Sequence, residues 1–215
     1  MRISKFGDDW MIFFSKDVDF NDIALELDKI MVKKIVPLIN RQDLKGDEML
    51  AKEFETLLKK IGKLRIATHN GEPVFTFEPQ YCFSTAETFR RGGHFLDAIA
   101  WYLMSCTREC DFSSPYTSIA GLLKEAQKYK SAMTVYKFAD GLFPKDFKVS
   151  IRMAILLYFH IEDKSFDGSD FVKELKEAEK SLGSYEAVKD MVKMLYSRQY
   201  NLDSFFHDYE VRAGY

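Results

Sequence analysis

The sequence is poor in glycine and proline, with 11 and 5 among 215 residues. That scarcity favours long helices with short connections over an all-β sandwich. No apolar run approaches the roughly 18–20 residues of a membrane-spanning helix; the longest, Met153–Phe159, is seven. Asp8 and Asp9 interrupt the first residues, and Trp10–Phe14 is too short for the apolar core of a secretory leader. Three cysteines (Cys82, Cys106, Cys110) cannot all pair and are sparse for a disulfide scaffold, so a reducing, cytoplasmic setting is expected. A charge excess is missing too: 31 basic against 33 acidic residues leave −2. The segment 1–78 carries 13 Lys/Arg and 14 Asp/Glu, and the segment 79–215 carries 18 and 19 (31 − 13, 33 − 14). Neither part has the basic surplus that phosphate neutralisation usually needs.

Recognisable chemistry is also lacking. The chain has no phosphate-binding glycine loop, dinucleotide fingerprint, nucleophile elbow or paired-histidine zinc motif. His69, His94, His160 and His207 are scattered. Cys106 and Cys110 share a helix face at i, i+4, but no fourth ligand joins them and Cys82, so they read as small apolar packing residues. No catalytic residue, metal or cofactor is nominated, and a non-enzymatic protein is expected, with an enzyme built from scattered carboxylates, without a recognisable motif, as an alternative.

What is present is self-similarity. Laying Pro79–Phe112 on Ser113–Asp146 brings Ala86 onto Ala120, Phe95 onto Tyr129, Ala98 onto Ala132 and Tyr102 onto Tyr136, all at one constant offset. Small residues let two helices approach, and rings drop into the notches they leave. Gly92–Gly93 predicts a turn between helices, and Pro144 a stop that also restricts Phe143. In this respect the chain resembles the tetratricopeptide family, whose repeat has the same length. The second unit matches the family's pattern at Tyr116, Ile119, Ala120, Leu123, Tyr129, Ala132, Tyr136, Ala139 and Pro144. The first matches at Ala86, Phe89, Phe95, Ala98, Tyr102 and Ser105, with Cys110 where the proline would stand. A third unit starts in phase at Phe147, with Ala154 and Leu157, then departs at Phe166.

The resemblance implies a mostly α fold, a solenoid of helical hairpins over 79–215; the segment 1–78 reads separately, from its own residues, as a small α+β cap. The resemblance further implies that the first helix of each hairpin lines a concave, partner-binding face. In the first unit that face takes Phe83, Glu87, Arg90 and Arg91, and in the second Thr117 and Lys124. Lys148, Ile151, Arg152, Ile155 and Tyr158 come from the third. Such a locally basic surface with apolar patches suits a protein segment carrying apolar anchors and acidic residues. Family members that bind the acidic tails of heat-shock chaperones use a Lys/Asn/Arg clamp. Lys148 and Arg152 match its last part, but Phe83, Glu87 and Ser118 do not match the rest, which speaks against that ligand. The expected role is an adaptor, assembly factor or dedicated chaperone; bacterial three-repeat secretion chaperones share only the general architecture.

Outside the repeats, Asp19 to about Val36 and Asp47 to Ile61 predict two helices. The first carries Ile23, Leu27, Ile30 and Met31 and stops at Pro37; the second carries Leu50, Phe54, Leu57, Leu58 and Ile61. Asn70–Gly71 predicts a β-hairpin over 64–77, pairing Ile66 with Phe75 and Leu64 with Phe77, with Trp10–Phe14 as a third strand. Helix, helix, hairpin is also the outline of a winged helix, hence the alternative of a regulator with a nucleic-acid-binding unit and a repeat sensor. Asp47, Glu48, Glu53 and Glu55 on the would-be recognition helix speak against it. Toward the end, Lys148–His160, Ser169–Leu182 and Tyr185–Tyr200 predict helices, with Ser169 as N-cap and Gly183 as the residue after a C-cap. Asn201–Tyr215 reads either as a packed tail or as a docking peptide.

Overall fold

The computed structural model describes residues 2–6, 9–14, 44–61, 64–68, 79–106, 110–161 and 171–215. The described residues are mostly helical. Nine helices appear among them: α1 (Leu44–Ile61), α2 (Pro79–Arg91), α3 (Phe95–Ser105), α4 (Ser114–Glu125), α5 (Tyr129–Leu142), α6 (Phe147–His160), α7 (Phe171–Leu182), α8 (Tyr185–Tyr196) and α9 (Asp203–Ala213). By packing, the chain divides into two compact units, Met1–Phe138 and Ala139–Tyr215. Residues on both sides of the expected boundary at 78 therefore belong to the first unit.

In the first unit, β1 (Arg2–Phe6) pairs antiparallel with β2 (Asp9–Phe14), Arg2 opposite Phe13. β2 lies parallel to β3 (Leu64–Thr68), with Trp10 opposite Leu64 and Phe14 opposite Thr68. The predicted Asn70–Gly71 turn and its arm to Phe77 lie outside the described residues, as does the predicted helix from Asp19 to Val36. α1 begins at Leu44, one turn ahead of the predicted Asp47. Its Leu50, Phe54 and Leu58, at i, i+4 and i+8, are buried, while Glu48, Lys52, Glu55 and Lys59 face water. The side chains of Leu57 and Ile61, expected on the same face, are outside the described ones.

The turns after α2 and α4, both within the first unit, are the same turn. Gly92 N–H donates to Thr88 O as Ala126 does to Leu122 O, and Gly93 to Arg90 O as Gln127 to Lys124 O. His94 donates to Phe89 O at 3.0 Å and Lys128 to Leu123 O at 2.8 Å. These bonds form a Schellman motif, which satisfies the carbonyls a helix end leaves open and needs a left-handed residue. Gly93 supplies it at φ +79, and Gln127 at φ 59. Only glycine reaches that region without strain. Gln127→Gly is therefore expected to raise stability, and Gly93→Ala to lower it, each by about 0.5–1 kcal/mol in denaturant melts. A Cβ on Gly93 meets nothing within 4 Å, so backbone strain alone drives its loss.

Packing around these turns repeats as well. Ala86, Ala98, Ala120 and Ala132 are all 0% exposed, and Tyr102 and Tyr136 are buried beside them. Ser105 Oγ donates to Pro79 O at 2.6 Å, tying the end of α3 to the start of α2. Tyr116 OH donates to Cys106 O at 3.3 Å. Phe95, by contrast, stays half exposed.

In the second unit, Pro144 follows the end of α5, and Asp146 caps α6 by accepting the Lys148 N–H at 2.9 Å. Gly183 ends α7 at φ +88, its N–H on Glu179 O, and Ser184 Oγ caps α8 by accepting from Ala187 N–H. The loop 162–170, with Phe166 and the expected cap Ser169, lies outside the described residues. α8 stops at Tyr196 rather than Tyr200. A turn there leaves the Tyr200 ring stacked on Phe159 at 4.3 Å. The tail is packed: α9 buries Phe205, Phe206 and Tyr209. Glu179 accepts from Tyr209 OH and Tyr215 OH, and Glu210 from Tyr185 OH and Lys189 Nζ.

Candidate functional site

The expected partner-binding residues fall in both units, so each set is described by itself. On α2, successive helical turns bring Phe83, Glu87 and Arg90 to one side. Phe83 is half buried, its ring 5.6 Å from Tyr102 and 5.7 Å edge-on to Phe112. The Glu87 carboxylate accepts from Tyr102 OH and from Arg90 Nη2, the latter at 2.9 Å. Burial resists its ionisation, but the bonds from Arg90 and Tyr102, with the charges of Arg90 and Arg91, outweigh that and hold it below the usual carboxylate range. Arg90 and Arg91 remain exposed in the last turn of α2, where cations also favour the helix C-terminus.

Tyr102 is pushed up to about 12, first by burial and then by the Glu87 carboxylate it bonds. Its neutral phenol is favoured in the folded state. The stability it contributes is complete below the unfolded phenol's value of about 10 and is lost as pH rises through about 12. Base titration of unfolding should therefore show a smaller alkaline loss for Tyr102→Phe than for the unmodified chain; an identical loss would remove this bond from the account.

On α4, Lys124 is half buried in the last turn. Thr117 is not available to a partner. It is 4% exposed, and its Oγ1 donates back to Ser114 O at 3.1 Å, as a helical hydroxyl does when it faces the interior.

On α6 the expectation needs the same correction for Ile151 and Ile155, which are 0% and 1% exposed. Val149, Met153, Ala154, Leu156 and Leu157 are buried too, so α6 is apolar around most of its circumference and serves as a core helix. Lys148 is exposed, 6.0 Å from the Phe147 ring centroid. Arg152 is half buried, and its Nε is buried without a hydrogen-bond partner among the described residues. Tyr158, expected as an apolar anchor, is engaged within its own unit. Its ring lies 5.0 Å from Phe171 and 5.1 Å from Phe205, and its hydroxyl donates to Asp208 at 2.7 Å.

All three cysteines are free thiols. Burial pushes Cys82 up to about 12 and Cys110 to about 11, and drives Cys106 up as well. Neutral thiols of this kind are poor nucleophiles and poor ligands. Among the described residues, no three His, Cys, Asp or Glu side chains gather as a metal site would require.

One polar site went unread in the sequence. Asp47, on α1, is 5% exposed and accepts from Lys130 N–H at 2.8 Å and Ser131 N–H at 3.0 Å. Ser131 Oγ donates to the same carboxylate at 2.5 Å. Beside it Lys130 Nζ meets Glu48 at 2.6 Å. Asp47 thus caps α5 from a remote stretch of the sequence, satisfying N–H groups that a helix start leaves open. Its only local signal was an acid in the first turn of a predicted helix.

No helix among the described residues is long and apolar enough to cross a membrane. No family model matches the chain, and comparison with curated proteins returns no match.

Proposed function

We propose that the chain is a non-enzymatic, tetratricopeptide-like binding module, an adaptor, assembly factor or dedicated chaperone, that holds a partner protein segment on the face of α2 and α4. The observation that carries this reading is the pair of identical turns after α2 and α4, with fully buried alanines at matching positions on either side of each. It is supported by the way α1 is used. α1 packs on α3 and bonds the start of α5, so the second helix of each hairpin is engaged by the chain itself. Along α2, Gln80, Ser84, Thr88, Arg90 and Arg91 stay exposed or half exposed. Phe83 offers the apolar anchor, and the guanidinium groups favour a segment with acidic residues.

Asp47 and Glu48, already spent on Ser131 and Lys130, give a nucleic-acid-reading helix no support. Partner capture from the native host with mass-spectrometric identification supplies the ligand. Phe83→Ala combined with Arg91→Glu should then weaken its binding about tenfold or more, roughly 1.4 kcal/mol. Unchanged affinity in the folded variant would remove this face from the proposal.

A further inference from the structure

Two contacts fix how α2 and α4 lie beside each other. The Phe83 ring meets Phe112, just ahead of α4, edge-on at 5.7 Å. One turn along α2, Glu87 accepts from the Tyr102 hydroxyl, and Ser118 of α4 lies within hydrogen-bonding reach of the same phenol. Moving forward on α2 therefore means moving forward on α4, and the two helices run in the same direction on either side of Tyr102. The line between them is apolar at Phe83 and Phe112 and polar at Glu87 and Ser118. A turn further on it is cationic, with Arg90 and Arg91 both exposed. Glu87 and Arg90 offset one another through their bond, which leaves the charge of Arg91 over.

Gly121 stands as far beyond Ser118 on α4 as Arg90 stands beyond Glu87 on α2. Glycine inside a helix is less stable than alanine, and nothing in the fold asks for it here. A Cβ would meet no atom within 4 Å, and Gly121 is not among the glycines with positive φ. The space above it is open, and an outside chain can come closer to that bare backbone than to one carrying a side chain.

We infer that the line between α2 and α4 takes an extended protein segment with a large apolar side chain at Phe83 and a carboxylate at Arg90 and Arg91, its main chain lying over Gly121. The inference rests on the binding face of the proposed function and specifies what that face reads. Charge complementarity selects the carboxylate, because a guanidinium binds it with paired donors. The distance sets the spacing. Arg90 is seven residues beyond Phe83 on α2, about 10 Å along the helix axis. An extended chain covers that in about three residues, whereas a partner helix would need about seven.

The probe is a phage-displayed library of random peptides, panned on the full chain and counter-selected on its folded Phe83→Ala, Arg91→Glu variant. Selected peptides should carry a large apolar and an acidic residue three or four positions apart, in either order. Replacing that acid by its amide in the synthetic peptide should weaken binding about tenfold. Gly121→Leu should melt about 2–4 °C higher, since it removes a helical glycine into open space. The same variant should bind the selected peptide about tenfold more weakly, and Gly121→Ala should move both readings the same way by less. Peptides selected at a spacing of seven, or without an acid, overturn the inference while leaving the face as a binding site. Undiminished binding by Gly121→Leu does the same. If no peptide prefers the unmodified chain to the double variant, the inference falls together with the face itself.

Discussion

Asp47→Ala is expected to lower the stability of the first unit by about 2–3 kcal/mol, the combined loss of a helix cap and of charge-assisted bonds to buried donors. The variant leaves the N–H groups of Lys130 and Ser131, and the Ser131 hydroxyl, in a site that is nearly closed to water. For a chain of this size each kcal/mol moves the melting midpoint by about 2–4 °C. Denaturant unfolding followed by circular dichroism reads the loss. Hydrogen exchange at residues 130 and 131 locates it, since those amides should lose protection first. Glu48→Gln is the matching control. Its ion pair with Lys130 is largely exposed, 57% and 36% by side chain, so its removal should cost less than about 1 kcal/mol. Equal effects from the two variants would mean that Asp47 contributes no more than surface charge.

Phe205→Ala should be more damaging still, at about 3–5 kcal/mol for a large side chain removed from a closed core. Phe205 is 0% exposed and sits among four rings: Tyr158 at 5.1 Å, Phe206 at 5.4 Å, Phe171 at 5.6 Å and Phe159 at 5.8 Å. Removing it opens a cavity that stiff aromatic neighbours cannot close, and each neighbour loses an edge or face contact as well. α9 should then become sensitive to limited proteolysis under native conditions, before the second unit as a whole unfolds. Val211→Ala on the same helix is 66% exposed and should stay within about 0.5 kcal/mol. If α9 of the Phe205→Ala variant resists protease as the unmodified chain does, the tail is held by the Tyr–Glu bonds rather than by this cluster.

Much of the helical framework was legible from local chemistry. Pro144, the Gly92–Gly93 pair and Gly183 act through the backbone within a few residues of themselves, so their meaning survives without tertiary context; the caps Asp146 and Ser184 went unread. The repeat spacing was legible for the same reason, because each turn is a local motif. The candidate site was legible only in part. Position in a repeat names the side of a helix but does not say how much of the helix is covered, and α6 is covered almost all round. Ile151 and Ile155 therefore belong to the core, and Tyr158 to an aromatic cluster completed by residues 171 and 205.

What the sequence by itself determined is the helical class, the glycine and proline stops that end several helices, and the small and aromatic residues that let paired helices approach. Those features depend on capping, backbone angles and periodicity, all of which operate over a turn or two of chain. Only the tertiary structure decided where Asp47 acts, why Glu87 is held as a carboxylate between Tyr102 and Arg90, and that the tail packs rather than hangs free. Each of these depends on which buried donor or ring lies opposite, and that pairing joins residues too far apart along the chain for periodicity or spacing to report.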